Sequence, residues 1–158
     1  MSKKIVFIYF FLIALLVILI KIPTLNLPLD NDSSANAFFA REMIRGEVLY
    51  DKFHPDHHLP AIYYTFVFAF KLFGDNPIAP KLLLIPFVIA SAWLIFLIGK
   101  SFFDDSTGIL GAIFYALVSS QVLFSGTTAE MEHFANLPLI AAIFITHISK
   151  QKKSSGDT

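Results

Sequence analysis

Acidic residues and histidines are concentrated in one polar stretch of this otherwise apolar chain, residues 23–80. Carboxylates can transfer protons or bind cations, and imidazoles can do both near neutral pH. The titratable groups in this stretch that could serve such chemistry are Asp30, Asp32, Asp51, His54, Asp56, His57 and His58. A second acidic group follows later in the chain, at Glu130 and Glu132. We therefore expect a reaction or a ligand-binding site outside the apolar segments.

The apolar runs around this stretch are too long for the core of a soluble domain. They cover residues 5–20, 82–99 and 106–129, and runs of this length are typical of transmembrane helices. The chain is 56% hydrophobic, which is also typical of an integral membrane protein. Its zero net charge gives no indication of nucleic-acid binding, and the lack of cysteine excludes disulfides and thiolate sites.

The distribution of lysines predicts how the chain is threaded through the membrane. Four spans are predicted, at residues 5–22, 81–99, 106–125 and 132–149. This topology places six lysines on the cytoplasmic side, as the positive-inside rule requires. They are Lys3, Lys4, Lys100, Lys150, Lys152 and Lys153. A fifth span at residues 61–70 would be too short to cross ~30 Å of hydrocarbon, so this aromatic segment is expected to lie in the interface.

The fold class that follows is an all-α integral membrane protein with its N-terminus in the cytoplasm. Residues 1–149 form one membrane region, and residues 150–158 are predicted to be a polar, disordered tail. The outer loop, residues 23–80, is predicted to carry two short interfacial helices.

The sequence also predicts where the two interfacial helices begin and end. The first covers residues 35–45, with Asp32 or Ser33 as its N-cap and Gly46 as its stop. Its apolar stripe is predicted at Ala35, Phe39 and Met43. The second helix starts at Pro60 and ends at Gly74.

Several short motifs of the outer loop resemble a known family when they are taken in order. Residues 32–43 read DSSANAFFAREM, Gly46-Glu47 follows, residues 58–64 read HLPAIYY and residues 70–74 read FKLFG. This order resembles the first outer loop of GT-C membrane glycosyltransferases, in the branch of protein O-mannosyltransferases and aminoarabinose transferases. That branch has Asp-Glu-Ala, Ala-Arg-Glu-Met, Gly-Asp, Lys-Pro-Pro-Leu and Leu-Phe-Gly. The resemblance covers about residues 5–148.

The resemblance implies an enzyme of the prokaryotic plasma membrane that takes a sugar from a polyprenyl-phosphate donor at the outer face. A glycan, lipid or protein hydroxyl would be the acceptor. By position in the motifs, Asp32 matches the catalytic aspartate, Glu132 matches a second acid, and His58 falls near the lipid phosphate. Lys52 and Arg41 are further candidates for phosphate contact.

The sequence departs from that family at several positions. Ser33 stands where the family has a glutamate, and His58-Leu59-Pro60 stands where it has Lys-Pro-Pro. Family members are several times longer, so the chain is expected to be the N-terminal portion of such an enzyme.

Alternatives remain at each candidate position. Asp30 is the rival of Asp32, which could simply cap a helix. Glu130 is the rival of Glu132, which could simply begin the fourth span. The histidines of the loop could bind a divalent cation with Asp51 or Asp56, or be solvated, and no cofactor is otherwise expected.

Two other classes of function compete with an enzyme. A small non-catalytic four-span protein, such as a subunit or lipid-binding module, would share the same architecture. A transporter is disfavoured, because the interiors of the first three predicted spans carry no charge.

Overall fold

The structure is a computed structural model that describes residues 3–51, 59–121 and 126–156. The regular elements of these ranges are α-helices, with one short 3₁₀ turn at Ile22–Thr24 and no strand, so the predicted all-α class is confirmed. The helices are α1 (Lys3–Lys21), α2 (Asn31–Ile44), α3 (Pro60–Phe73), α4 (Ala79–Phe102), α5 (Asp105–Val118) and α6 (Met131–Gly156).

Three helical segments are long and apolar enough to cross a bilayer. By length and composition they are Lys4–Thr24, Ala79–Phe102 and Met131–Lys150. They coincide with the predicted first, second and fourth spans. The structure is therefore consistent with a multi-pass membrane protein.

The predicted third span is shorter than expected. The helix found there, α5, has only 14 residues, about 21 Å of helix against ~30 Å of hydrocarbon. It ends early because the hydroxyls of Ser119 and Ser120 both donate to the carbonyl of Ala116, at 3.3 and 3.0 Å. Such side-chain bonds compete with the backbone bonds of a further turn. A single helix over residues 106–125 was thus a wrong prediction.

Short as it is, α5 connects the two ends of the helix bundle. Its first residue, Asp105, pairs with Lys100 near the end of α4, at 2.7 Å. At its other end, the carbonyl of Ser119 accepts a hydrogen bond from the last residue of α1, Lys21. The helices α1, α4, α5 and α6 therefore alternate in direction, and α4 packs against the other three.

Glycine allows α4 and α5 to approach until their backbones touch. A Cβ built at Gly108 would lie 2.5 Å from the carbonyl oxygen of Phe96, and one built at Gly99 would lie 2.7 Å from the Cα of Gly108. Small residues at such crossings are typical of helix packing in membranes, where close van der Waals contact drives association. This contact fixes the distance between α4 and α5 at the Lys100 end of the bundle.

The two predicted short helices of the long loop are present: α3 begins at Pro60 as predicted, whereas α2 begins at Asn31 and not at Ala35. α2 and α3 pack against each other, with the rings of Phe39 and Tyr63 in edge contact at 5.4 Å. Gly46 and Gly74 follow them with positive φ angles of 98° and 87°, a conformation that favours glycine at the end of a helix. Both predicted stops are confirmed.

The N-cap of α2 was predicted wrongly. The cap is Asp30, whose carboxylate accepts a hydrogen bond from the backbone N–H of Ser33 at 3.0 Å. Asp32 lies within the first turn instead. The chain enters the helix two residues earlier than the motif suggested, because Asp30 has the extended backbone that an N-cap requires.

Two further predictions need correction. The buried face of α2 is formed by small residues and an amide, Ser33, Asn36, Ala37 and Ala40. Ala35 is exposed, while Phe39 and Met43 are only partly buried, because small side chains let α2 approach its neighbours closely. The tail was expected to be disordered from residue 150, but α6 continues to Gly156. Lysine and glutamine are good helix formers, and glycine is the first strong breaker there.

Candidate functional site

Lys21 joins three segments of the chain at one end of the bundle. Its ammonium donates hydrogen bonds to the carbonyls of Ser119 and Gly126, at 2.8 and 2.7 Å. The residue is only 3% exposed, and a buried ammonium is costly unless its donors are satisfied. The last turn of α1 is thereby fixed to the connection between α5 and α6.

Lys81 plays the same part for the segment that follows α1. Its ammonium donates to the carbonyls of Thr24 and Leu27, at 3.1 and 2.5 Å. Lys81 lies in the first turn of α4 and is 4% exposed. The first turn of α4 therefore holds the chain that leads to Asp30.

These two lysines bring Asp30 and Glu130 together. The two carboxyl groups lie within hydrogen-bonding reach of each other, and Lys81 attracts Asp30 electrostatically. Two carboxyls this close can form a hydrogen bond when one of them carries a proton. We call Lys21, Asp30, Lys81 and Glu130 the polar junction.

Several neighbours determine the charge state of Asp30. Burial by itself would raise its pKa, but the contact with the Glu130 side chain and the hydrogen bond from the backbone N–H of Ser33 hold the pKa of Asp30 below its usual value. The ionised form of Asp30 is therefore favoured.

A cleft opens beside the polar junction, between the end of α5 and the start of α6. Its volume is about 380 Å³, which is within the range of small-molecule sites. The cleft is lined by Tyr115, Val118, Ser119, Glu130, Glu132, His133 and Asn136. Most of the exposed lining is apolar, and the carboxyl groups of Glu130 and Glu132 and the amide of Asn136 are the polar groups that a ligand could meet.

The two acids that the structure brings together are Asp30 and Glu130, the rivals of the predicted Asp32 and Glu132. Asp32 is exposed in the first turn of α2, and Glu132 is exposed in the first turn of α6. Glu132 lines the cleft, as Glu130 does. The carboxyl contact across this end of the bundle, however, joins Asp30 to Glu130.

Arg41 lies away from the cleft, at the far end of α2. It forms an ion pair with Asp75 at 2.6 Å, and its guanidinium lies over the ring of Phe70 at 5.1 Å. This arrangement ties α2 to the end of α3. Lys52 and His58, the other two phosphate candidates, fall outside the described residues.

The hypothesis of a cation site in the histidine-rich loop falls largely on residues outside the described ranges. Within those ranges, no group of three or more His, Asp or Glu side chains could hold a metal ion.

The roles of Lys21 and Lys81 were missed by the sequence analysis. Both lie at the edges of predicted spans, where lysines are common and usually solvated. Their positions in the sequence were the one indication of these roles. Each stands at the end of a predicted span that faces the long acidic loop, opposite the ends that carry the other lysines.

Comparison with known protein families, curated proteins and solved structures finds no match to this chain. The resemblance to GT-C glycosyltransferases therefore depends on the order of the motifs alone.

Proposed function

We propose that this chain forms part of a membrane glycosyltransferase of the GT-C type, which uses a polyprenyl-phosphate sugar as donor at the outer face of a prokaryotic plasma membrane. The observation that carries the proposal is the contact between Asp30 and Glu130 beside a cleft. These residues are distant in sequence, and two buried lysines are used to hold their segments together.

Glycosyl transfer needs a group that takes a proton. The acceptor hydroxyl oxygen attacks the anomeric carbon, the bond from that carbon to the carrier phosphate breaks, and the hydroxyl proton moves to a carboxylate. The polyprenyl phosphate leaves with the electron pair. A positioned carboxylate contributes typically 10²–10⁴-fold to such a step. In this proposal the carboxyl pair Asp30–Glu130 is the proton acceptor, and the cleft holds the acceptor hydroxyl.

The distribution of charge supports the orientation. The polar junction lies at the end of the bundle where α1 and α5 finish and α4 and α6 begin. Lys4, Lys100 and Lys150 belong to the opposite end, which the positive-inside rule assigns to the cytoplasm. The carboxyl pair would then face the outer side, where a flipped polyprenyl-phosphate donor is available.

The proposal is tested with the full chain in nanodiscs and an assay that needs no acceptor. Polyprenyl-phosphate mannose and polyprenyl-phosphate glucose are offered as donors, water replaces the acceptor, and the release of polyprenyl phosphate is followed by mass spectrometry. Asp30→Asn and Glu130→Gln should each slow release by about 10²-fold or more. Asparagine still caps α2, so Asp30→Asn removes the charge without removing the cap.

Matched variants two residues away provide the control. Asp32→Asn, which lies outside the cleft, should leave the rate within about threefold, which is less than 1 kcal/mol of barrier. Glu132→Gln alters the lining of the cleft and should slow release less than Glu130→Gln does. The opposite pattern would return the catalytic role to Asp32 and Glu132. A folded wild-type protein that releases no polyprenyl phosphate from either donor would contradict the proposal and favour a non-catalytic membrane protein.

A further inference from the structure

A groove lies at the other end of the bundle, on the outside of the helices. It has a volume of about 460 Å³ and runs between the end of α4 and the second half of α6. The groove is lined by Phe102, Ala142, Ile143, Thr146, His147 and Lys150. It shares no residue with the polar junction or with the cleft beside it.

One wall of this groove is held in place by His147. Its Nε2 lies 2.7 Å from the Ser101 hydroxyl, in hydrogen-bond contact. Its ring stacks on Phe102, with the centroids 3.9 Å apart. The end of α4 is therefore attached to α6 at this level, and the groove is a defined feature rather than a gap between separate helices.

The lining changes from apolar to cationic along the axis of α6. Ala142 and Ile143 lie at one end and Lys150 at the other, eight residues after Ala142, which is about 12 Å of helix. The candidate spans of α4 and α6 end at Phe102 and Lys150. The apolar part would thus lie at the depth of lipid chains, and Lys150 at the depth of the headgroups.

The charge at this level is positive. Lys150 is exposed, and no ion pair of its ammonium is found within the described part of the chain. Lys152 and Lys153 follow it in the sequence. The cytoplasmic leaflet is rich in anionic lipid, which attracts such lysines. Charge complementarity favours an anionic headgroup at the Lys150 end of the groove.

We infer that this groove binds one anionic phospholipid of the cytoplasmic leaflet. An acyl chain lies against Ala142 and Ile143, and the phosphate lies beside Lys150. The occupant has the amphipathic shape and the net charge that the lining requires, whereas in a zwitterionic phospholipid the headgroup cation would offset the attraction between the phosphate and Lys150. This binding is independent of the proposed transferase activity.

Native mass spectrometry of the full chain tests the inference. The protein is released from nanodiscs that contain equal amounts of phosphatidylglycerol and phosphatidylcholine of the same chain length, and the retained lipids are counted. Wild-type protein should retain phosphatidylglycerol about fivefold over phosphatidylcholine, the preference expected of one lysine at an anionic surface. Lys150→Glu should abolish the preference, and Ala142→Leu, which fills the apolar part, should reduce retention of both lipids.

Lys4→Glu is the matched control, because Lys4 is also exposed but does not line the groove; it should retain the wild-type preference. Equal retention of the two lipids by the wild type would overturn the inference, and so would a preference that survives Lys150→Glu. A dimer mass that disappears in Ala142→Leu without bound phosphatidylglycerol would show instead that a second copy of the chain fills the groove.

Discussion

At the scale of single residues, the two buried lysines explain how distant acids come together. Placing an ammonium group where little water reaches it is unfavourable unless its donors are satisfied. Lys21 and Lys81 meet this requirement with backbone carbonyls of neighbouring segments. Because each lysine holds two carbonyls at once, each also determines the path of a connecting segment, and these segments carry Asp30 and Glu130.

Replacing Lys21 by methionine should therefore destabilise the protein. The carbonyls of Ser119 and Gly126 would lose their donor, and each buried group left unsatisfied costs about 1–3 kcal/mol. Thermal unfolding in detergent measures the effect. Lys4→Met is the control, because Lys4 is exposed at the other end of α1 and should change the melting temperature little. Equal melting temperatures for Lys21→Met and Lys4→Met would contradict the role assigned to Lys21.

The lowered pKa of Asp30 predicts a pH dependence of stability. A group whose pKa is lower in the folded state than in the unfolded one stabilises the fold above the unfolded value. This stability is lost as the pH falls through the folded value. Wild-type protein should therefore unfold at a higher temperature than Asp30→Asn near neutral pH. The difference should shrink below pH ~4, where an ordinary aspartate becomes protonated.

Thermal unfolding of the two proteins across this pH range is the measurement. Asparagine retains the cap of α2, so the comparison isolates the charge of Asp30 and its contacts with Glu130 and Lys81. A difference in melting temperature that does not change with pH would contradict the assignment.

The sequence could identify the two acidic segments but not the acids that meet. Asp30, Asn31, Asp32 and Ser33 are all residues that cap helices well, so local preference does not choose among them. The choice is made by a residue far along the chain, since Lys81 holds the carbonyl of Leu27 and attracts Asp30. No local pattern contains that information.

At the scale of helices, hydrophobic length was a good guide to α1, α4 and α6, and a poor one to α5. The apolar run that begins at residue 106 continues well beyond the end of α5 at Val118. Composition could not distinguish helix from irregular backbone there. The serine hydroxyls that end α5 act together with Lys21, which binds the carbonyl of Ser119. A tertiary contact thus decided the length of this helix.

The crossing of α4 and α5 gives a prediction at this scale. Gly108→Ala should lower the melting temperature, because its Cβ would lie 2.5 Å from the carbonyl oxygen of Phe96 and the helices would have to separate. Gly111→Ala is the matched control in the same helix. Its Cβ would meet only a side-chain methyl of Ile95, at 3.2 Å. Alanine is favoured over glycine within a helix by about 1 kcal/mol, so a net loss of stability at position 108 would reflect packing.

The measurement is thermal unfolding of both variants beside the wild type. A Gly108→Ala protein as stable as Gly111→Ala would show that the close contact between α4 and α5 does not hold the bundle together.

At the scale of the whole molecule, the helices separate two ends of different chemistry. One end holds the polar junction and its cleft, and the other holds Lys100, Lys150 and the apolar groove. The charge pattern of the sequence predicted this separation, because it depends only on which loops carry lysines. It could not predict that the loop after α1 and the loop before α6 touch, since that depends on contacts with residues at the ends of four different helices.

Disulfide trapping shows whether these two loops touch. The chain has no cysteine, so Asp30→Cys and Glu130→Cys can be introduced together without a background thiol. After mild oxidation in membranes, both thiols should be lost to maleimide labelling. The control pair, Asp30→Cys with Ser101→Cys at the opposite end of α4, should keep both. Two thiols that remain free at positions 30 and 130 in folded protein would show that the acids do not meet.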